Sequence, residues 1–558
     1  MAFAITQTCC NDASCVSVCP VNCIHPTPGE PDFGTTEMLY IDPHTCINCG
    51  ACADACPVDA VLPLDQLSGA NEVYAEMNRQ YFEQRRNDQG SDDRGSDRGD
   101  EQPWDQPRFP RPLPRGGGPK RVAIVGTGPA ASYTAELVLR GTNAEVTMID
   151  RLPVTGGLVR YGVAPDHPST KRVADGFAWL YQHPRLRVHM NVEVGRDISH
   201  EELAAHHHAV FYGVGAGSDR SLGVPGEQLP GSLSATRFVA WYNAHPDVPA
   251  AQVDLSSERA VVVGNGNVAL DVARILLGDP DQLARTDIAD HALEALRSSK
   301  VREVVLLARR GPEHAAYTRP EFLALQHLPD VRVVVDAHPR VRESVAAAEG
   351  KAGLLEGIPV EQVDWSAPPP EGKRIVLRFL ASPTEIAGDA SVRSVRVRDN
   401  ELSTEDDIPA GLVVRSIGYR NHPVPGLPFD EQGATVPNEE GRVTDGNGNA
   451  VPGAYVVGWI KRGPSGGIGT NRSCAEETVE SFLDDADRQR LPEPTGGARA
   501  FARLVRRRKP DAVGRREMLA IDRAERQRGR DAQRPRVKFA TVPELLGAAK
   551  RSRLGRRS

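Results

Sequence analysis

The sequence has no apolar segment long enough to cross a bilayer, and almost all of its cysteines lie near the N-terminus. No apolar run approaches the roughly 20 residues of a membrane helix, and the first twenty residues carry four cysteines instead of a basic and hydrophobic leader. We therefore expect a cytoplasmic protein without a transmembrane segment. Nine of the ten cysteines precede residue 57, which excludes a disulfide framework spanning the chain and favours metal binding in a reducing compartment.

Basic residues are missing from positions 1–66, which hold eight Asp or Glu and no Lys or Arg. Residues 501–558 have the opposite balance, with 19 Lys or Arg against six acids. Between these ends, residues 84–117 are rich in Gly, Pro, Asp and Arg, so we predict a flexible tether there. A chain of 558 residues with 40% apolar content has the composition of a globular protein of several domains.

Four cysteines stand in the spacing C-x2-C-x2-C-x3-C-P: Cys46, Cys49, Cys52 and Cys56. Such a loop presents three thiolates to one iron–sulfur cluster and the fourth to another. Structural zinc usually needs two separated C-x-x-C pairs and is the weaker alternative. A shorter copy ends in C-x3-C-P at Cys15 and Cys19. If the two copies exchange their last cysteines, a 4Fe-4S cluster is held by Cys46, Cys49, Cys52 and Cys19.

Three cysteines remain for a first, less regular site: Cys9, Cys15 and Cys56. Three ligands suit a 3Fe-4S cluster, whereas a fourth ligand from Cys10 would allow a second 4Fe-4S cluster. Cys23 has no evident iron to bind and is expected to be a packed thiol. Residues 1–66 resemble the seven-iron bacterial ferredoxins, although the spacing from Cys9 to Cys15 is shorter than in many members.

Two glycine turns indicate two dinucleotide sites. In the first, an apolar strand leads into Gly126, Gly128 and a helix, and the next strand ends at Asp150, where an acid can bind a ribose hydroxyl. The second turn, at Gly264 and Gly266, has the same context. Its next strong strand ends instead in two arginines, Arg309 and Arg310. Guanidinium groups there favour the 2′-phosphate of NADP, and a solvated basic strand end is the alternative.

Six ordered strings extend these motifs: GTGPAA, GGLVRYGVAPDHP, GNGNVALDVARIL, ARRGPEHAAYTRPE, RSIGY and GWIKRGPSGGIGTN. They resemble adrenodoxin reductase and its bacterial ferredoxin–NADP⁺ reductase relatives over residues 119–485. With the N-terminal cysteines included, the whole chain is similar to mycobacterial-type fusions of a ferredoxin to such a reductase.

The resemblance implies roles for individual residues. FAD contacts would come from Gly126, Gly128, Ala130, Asp150, Leu158, Val194 (beside the adenine), Trp459, Gly466, Gly467 and Ile468. NADP contacts would come from Asn265, Gly266, Asn267, Val268, Arg309, Arg310 and Glu321. His167 and Asp271 match a pair that the family places close to the isoalloxazine. Gly467 departs from the family, because an apolar side chain often fills this position.

The expected fold is α/β and multi-domain, with the NADP domain inserted between two segments of the FAD domain. We place the boundaries as follows: an α+β ferredoxin domain at 1–66, a linker at 67–117, the first FAD segment at 118–222, the NADP domain at 223–413, the second FAD segment at 414–490 and a basic, mostly solvated C-terminal extension at 491–558.

Together these features predict an NADPH–ferredoxin oxidoreductase. FAD would take a hydride from NADPH and pass single electrons to the clusters, and then to an acceptor protein such as a free ferredoxin or a haem monooxygenase. No specific nucleic-acid partner is expected. The acidic N-terminal domain should dock on a basic face of the reductase. Two alternatives are an electron-input subunit of a larger reductase or synthase, and a non-catalytic scaffold; the direction of electron flow stays open.

Overall fold

The N-terminal domain consists of two small strand pairs that hold the cysteine loops. A computed structural model describes residues 2–88, 119–348 and 350–554. The strand pairs, both antiparallel, are Phe3–Ile5 with Val61–Pro63 and Ile24–His25 with Tyr40–Ile41. A short helix, Ala51–Ala55, follows the turn at Gly50. The ten cysteines, all within the described residues, form no disulfide, so no disulfide links the domains.

The predicted linker at 67–117 is wrong in its first part, because Val73–Asp88 forms a helix that packs on the ferredoxin domain. Tyr74 and Met77 are buried in the core. The buried side chain of Asn78 accepts hydrogen bonds from the backbone N–H groups of Ile5 at 3.1 Å and Ile41 at 2.8 Å. This helix was not predicted because most of its residues are polar. The rest of the predicted tether, from 89 to 117, lies outside the described residues.

The FAD domain contains a seven-stranded sheet assembled from two distant segments of the chain, as predicted. Its strand order is Asn438–Glu439, Arg442–Thr444, Ala450–Val456, Ala209–Tyr212, Arg121–Val125, Glu145–Asp150 and Leu186–Met190. The last five strands are parallel, and the first three are joined in antiparallel pairs. The helices of this domain are Pro129–Gly141, Gly157–Tyr161, Pro168–Lys171, Val173–Gly176, His200–Ala204, Trp459–Arg462 and Thr470–Asp487.

The NADP domain is inserted between the two FAD segments and contains a fully parallel sheet. Its strand order is Ser232–Ser234, Leu412–Arg415, Arg259–Val263, Glu303–Leu307, Lys373–Arg378, Val331–Asp336 and Val360–Glu361. Its helices are Ala235–Tyr242, Asn267–Leu277, Pro280–Leu283, Asp290–Arg297, Arg319–Gln326 and Pro339–Ala346. The predicted boundary after 413 falls inside the strand Leu412–Arg415, which belongs wholly to this sheet. An antiparallel sheet of Ala381–Ala387, Ser394–Asp399 and Glu405–Pro409 lies beside it, and Ser218–Asp219 pairs with Tyr419–Arg420 where the chain passes between the domains.

The C-terminal extension is folded onto the reductase, which corrects the expectation that it is mostly solvated. It forms the helices Ala498–Arg508, Arg515–Asp531 and Val542–Leu554. Phe501 and Val505 are fully buried against the FAD sheet. These two residues lie one helical turn apart, so they form an apolar stripe although arginine dominates the composition. Of the helices in the described ranges, none has the length and apolar character that membrane spanning requires.

Candidate functional site

A cavity of about 990 Å³ lies between the FAD and NADP domains, and residues 7–10 of the ferredoxin domain close one side of it. Its volume is at the upper end for small-molecule sites, which suits large ligands. Most of the predicted cofactor residues line it: Gly126, Gly128, Ala130, Asp150, Leu158, His167, Asn267, Asp271, Glu321, Trp459, Gly466, Gly467 and Ile468. The predicted residues Val194, Asn265, Gly266, Val268, Arg309 and Arg310 lie outside its lining.

The first glycine turn fits a dinucleotide phosphate. Gly126 has a φ of +106°, and a Cβ atom there would lie 2.4 Å from the carbonyl oxygen of Gly213. The helix Pro129–Gly141 starts at Gly128 without a side-chain cap, so its first N–H groups face the cavity. Asp150 accepts hydrogen bonds from the Thr127 hydroxyl at 2.6 Å and the Leu152 N–H at 2.9 Å. Burial raises the pKa of Asp150, which marks a carboxyl group held away from water.

The glycine-rich loop that contains Gly466, Gly467 and Ile468 closes one side of the cavity. A residue that was not predicted from the sequence, Asn471, fixes this loop. The Asn471 side-chain amide donates to the carbonyl oxygens of Gly467 and Ile468, each at 3.0 Å. Asn471 also lines the cavity and lies in the first turn of the helix Thr470–Asp487. The signal was present in the sequence, because an amide directly after a glycine-rich loop is well placed to bind its carbonyl groups. The Trp459 ring packs 5.0 Å from that of Tyr419.

Arg274 joins the predicted pair His167 and Asp271. Its Nη2 atom lies 2.6 Å from the Nε2 atom of His167 and 2.6 Å from a carboxylate oxygen of Asp271. Its Nε and Nη1 atoms each lie 2.9 Å from a carboxylate oxygen, of Asp166 and Glu321 respectively. The predicted residues therefore do meet, but around a guanidinium group that sequence reasoning missed.

Burial and charge act differently on the two aspartates around Arg274. Burial raises the pKa of Asp271, and the attraction of Arg274 does not fully reverse this rise. For Asp166, burial also opposes ionisation, but the attraction of Arg274 and His167 outweighs it and lowers the pKa. The Arg274 side chain is only 4% exposed. This buried, charged cluster bridges the FAD domain, which carries His167, and the NADP domain, which carries Asp271.

The second glycine turn lies at the edge of the cavity and fits a second dinucleotide. Gly264 has a φ of +118°, and a Cβ atom there would lie 2.2 Å from the carbonyl oxygen of Ser416. The buried Asn265 Nδ2 atom has no hydrogen-bond partner among the residues that the structure describes, so it could donate to a phosphate bound at this turn. Asn267 is held by Thr318, whose N–H donates to the Asn267 side-chain oxygen at 2.8 Å.

Arg309 and Arg310 follow the strand Glu303–Leu307, which pairs in parallel with the strand before the second glycine turn. Their backbones are held, since the Asn400 side chain donates to the carbonyl oxygen of Arg309 at 2.7 Å and the Leu380 N–H donates to that of Arg310 at 3.2 Å. Both side chains are exposed. This position beside the turn, with solvent-facing guanidinium groups, fits a phosphate that lies outside the main cavity.

The cysteines form two groups, and both fit iron–sulfur clusters. Cys9, Cys10, Cys15 and Cys56 line a small second cavity. In the other group, burial and, to a smaller extent, the nearby thiols of Cys46 and Cys19 raise the pKa of Cys52 to about 11. Gathering buried thiols is unfavourable for their ionised forms unless a metal ion compensates the charge. Cys49 is exposed in the same loop. Cys23 is not isolated, because its sulfur lies 3.4 Å from that of Cys19.

The first cysteine loop is docked against the loop that closes the main cavity. The Gly469 N–H donates to the carbonyl oxygen of Cys10 at 2.9 Å, and Arg472 donates to the Ser14 hydroxyl at 2.8 Å. Cys10 lines both the main cavity and the cysteine cavity. The main cavity and the cavity lined by cysteines therefore have Cys10 as a common wall.

Acidic side chains of the ferredoxin domain meet basic groups of the reductase, as the charge pattern predicts. Glu37 forms an ion pair with Lys351 at 2.8 Å and also accepts a hydrogen bond from the backbone N–H of Arg319 at 2.7 Å. Asp59 pairs with Arg172. These basic groups belong to the FAD and NADP domains and not to the arginine-rich extension.

Comparison with known proteins matches both halves of the chain. A family model for a 4Fe-4S binding domain matches residues 39–62, and one for pyridine nucleotide-disulphide oxidoreductases matches residues 120–311. The probable ferredoxin/ferredoxin–NADP reductase of Mycobacterium tuberculosis is 48% identical over 98% of this chain and 95% of its own length. The corresponding protein of Mycobacterium leprae is 45% identical over 98% of both chains. The solved structure of Mycobacterium tuberculosis FprA in complex with NADPH is 43% identical, with a TM-score of 0.71, and covers 78% of this chain and 100% of that chain.

Proposed function

The chain belongs to the family of ferredoxin/ferredoxin–NADP reductases, and from this premise we propose that it passes electrons between NADPH and iron–sulfur clusters through FAD. The observation that carries the proposal is the wall shared by the two sites: Cys10 lines the cofactor cavity and the cysteine cavity, and its carbonyl oxygen binds the loop that closes the former. Electrons can therefore move within one chain. The acceptor is a redox protein such as a free ferredoxin or a haem monooxygenase. The proposed location is the cytoplasm, because its reducing conditions keep cysteine thiols available as cluster ligands.

Bound FAD supplies the exchange between two-electron hydride transfer and single-electron transfer. The protein residues bind and orient. Gly126 and Gly128 let the backbone approach the pyrophosphate of FAD, and Asp150 holds a ribose hydroxyl. Asn265 and Asn267 bind the phosphates of NADPH. Arg274 holds three residues that form a polar wall of the cavity: Glu321, His167 and Asp271. This wall would orient the nicotinamide ring of NADPH.

We assign the clusters by the two cysteine groups. Cys9, Cys15 and Cys56 hold a 3Fe-4S cluster next to the cofactor cavity, and Cys19, Cys46, Cys49 and Cys52 hold a 4Fe-4S cluster. Cys9 and Cys10 line the cofactor cavity, whereas the cysteines of the second group do not. A cluster held by the first group would therefore be the one placed to exchange electrons with FAD.

The proposal is tested by titrating the anaerobic holoprotein with NADPH and then with NADH. Flavin absorbance follows FAD, and electron paramagnetic resonance follows the clusters. We expect NADPH to bleach the flavin and then reduce a cluster, with NADH much less effective. A flavin that bleaches while every cluster stays oxidised would refute the internal route and would favour an electron-input subunit that needs a partner. A flavin that NADPH does not bleach would refute the reductase function.

Replacing both Arg309 and Arg310 with alanine should raise the KM for NADPH by at least about 100-fold, because each charge-assisted hydrogen bond to the 2′-phosphate is worth about 1.5–3 kcal/mol and two are lost. The kcat should change little, and the KM for NADH should stay the same because NADH lacks this phosphate. Steady-state reduction of ferricyanide measures both constants. The control is Arg332→Ala, which removes an exposed arginine from the same sheet. Equal losses with both coenzymes would show that the arginines only support the fold.

The nuclearity of the first cluster is decided by two cysteine variants. Cys10→Ala should leave the electron paramagnetic resonance signal of an oxidised 3Fe-4S cluster unchanged, because Cys9, Cys15 and Cys56 supply its three ligands. Cys56→Ala should abolish this signal. Loss of a cluster in Cys10→Ala would instead identify Cys10 as the fourth ligand of a second 4Fe-4S cluster.

A further inference from the structure

A buried polar cluster lies where the FAD domain, the NADP domain and the C-terminal extension meet. Lys538 of the extension lies 2.7 Å from a carboxylate oxygen of Asp287 and 3.0 Å from the side-chain oxygen of Asn243, both in the NADP domain. Lys171 of the FAD domain contacts the same two residues at 2.6 Å and 2.8 Å. One carboxylate and one amide oxygen thus each bind two ammonium groups from different parts of the chain.

This buried cluster is connected by a hydrogen bond to Val163, a residue that lines the cofactor cavity. The Lys538 side chain is 1% exposed and Asn243 is fully buried. The Asn243 Nδ2 atom donates to the carbonyl oxygen of Val163 at 3.0 Å. Val163 lines the cofactor cavity and begins the segment that carries Asp166 and His167. A shift of Asn243 would therefore displace the backbone at Val163, and with it Asp166 and His167, which contact Arg274.

Neighbouring residues of the extension attach it to both nucleotide domains. On the NADP domain, Arg534 donates to the carbonyl oxygen of Thr286 at 2.9 Å and to Asp290 at 2.6 Å. On the FAD domain, the fully buried Glu525 pairs with Arg160 at 2.6 Å. Glu525 also accepts from Arg536 at 2.7 Å, which fixes the chain just before Lys538. The segment from 525 to 538 spans the two domains with charge-assisted hydrogen bonds at each end.

We propose that Lys538 is a positioning residue for hydride transfer, and this inference rests on the proposed function. By holding Asn243 and Asp287 against Lys171 and Val163, it fixes the NADP domain relative to the FAD domain. The distance between the two cofactors follows from this orientation, since Gly266 and Asp271 move with the NADP domain and His167 with the FAD domain. Lys538 touches neither cofactor site.

Replacing Lys538 with methionine keeps most of the length of the side chain and removes its amino group. Asp287 and Asn243 keep Lys171 as a partner, so the fold should persist while the domain orientation loosens. A displacement of about 1 Å between reacting groups can cost on the order of 100-fold in rate. We expect the rate of flavin bleaching at saturating NADPH to fall by roughly 10- to 100-fold, with a smaller change in KM.

The test compares the holoproteins of the wild type, Lys538→Met and Lys550→Met in stopped-flow experiments with saturating NADPH. Lys550 is exposed on the last helix and serves as the matched control. A second readout, independent of turnover, is hydrogen–deuterium exchange of residues 163–171. Exchange there should rise in Lys538→Met and stay unchanged in Lys550→Met and in the ferredoxin domain. Flavin content and the extent of bleaching by dithionite should equal those of the wild type.

Normal bleaching and normal exchange in Lys538→Met would overturn the proposal. A purely structural role would lower the melting temperature and leave the bleaching rate at saturating NADPH unchanged, which would also overturn it. If Lys538→Met does not fold, Arg534→Met is used in the same way, because it removes the contacts of the extension with Thr286 and Asp290 of the NADP domain and leaves the buried lysine in place. If NADPH does not bleach the wild type, the proposed function fails, whereas the exchange of residues 163–171 still tests the positioning role.

Discussion

Replacing Gly469 with alanine is expected to separate flavin reduction from cluster reduction. Gly469 has φ and ψ angles of −65° and −35°, a right-handed helical conformation that alanine adopts without strain. A Cβ atom there, however, would lie 2.2 Å from backbone atoms of Asn11 and Asp12 and 2.3 Å from the carbonyl oxygen of Cys10. The first cysteine loop must therefore move away from the cavity.

The size of this effect follows from the cost of overpacking, which is about 1–3 kcal/mol. Such a cost lowers the ratio of docked to undocked molecules roughly 5- to 150-fold, because each 1.36 kcal/mol corresponds to a factor of about ten. Bleaching of the flavin by NADPH should stay close to that of the wild type. The rate at which the clusters are then reduced should fall with the docked population.

Stopped-flow absorbance and rapid-freeze electron paramagnetic resonance follow the two steps separately. Gly497→Ala is the matched control, because Gly497 also precedes a helix and has open space around its Cβ position. If Gly469→Ala reduces its clusters as fast as the control, the contact with Cys10 is not the electron route. If it loses FAD, the cavity loop and not the ferredoxin contact has been disturbed. The variant Arg472→Ala then tests the same interface through its second hydrogen bond, from Arg472 to Ser14.

The motifs that were predictable from sequence depend on neighbouring positions. Gly126 and Gly264 are glycines because a positive φ and a close backbone approach are needed at each turn, and both constraints act over a few residues. The spacing of Cys46, Cys49 and Cys52 likewise follows from the geometry of one loop. Such features can be recognised without knowledge of the rest of the fold.

Features that depend on distant segments could not be predicted. Arg274 holds groups from positions 166, 167, 271 and 321, and only the last two come from the domain that carries Arg274. The arginines of the C-terminal extension suggested a solvated tail, since sequence alone does not reveal that Arg536 faces the buried Glu525. The helix Val73–Asp88 was missed because its polar anchors, such as Asn78 and Arg85, have partners more than 30 residues away.

Replacing Arg274 with methionine should destabilise the protein more than any surface substitution. The change leaves Asp271, Asp166 and Glu321 close together without their shared cation. Removing one partner from a buried ion pair typically costs about 3–5 kcal/mol, because the remaining charge stays out of water. Arg297→Met is the control, since its pair with Asp281 is exposed and such pairs are worth about 0–1 kcal/mol. Urea unfolding, followed by circular dichroism, measures both.

The pH dependence of this loss identifies its cause. In the wild type, Arg274 lowers the pKa of Asp166, so this stabilisation exists above the unfolded pKa and disappears as the pH falls. Without Arg274, burial and mutual repulsion raise the pKa values of Asp166 and Asp271 above their unfolded values, so protonation of these two groups stabilises the variant at low pH. The difference in stability between the two proteins should therefore shrink from about pH 8 to about pH 5. A difference that stays constant over this range would mean that lost packing of the arginine side chain, and not the unpaired carboxylates, causes the destabilisation.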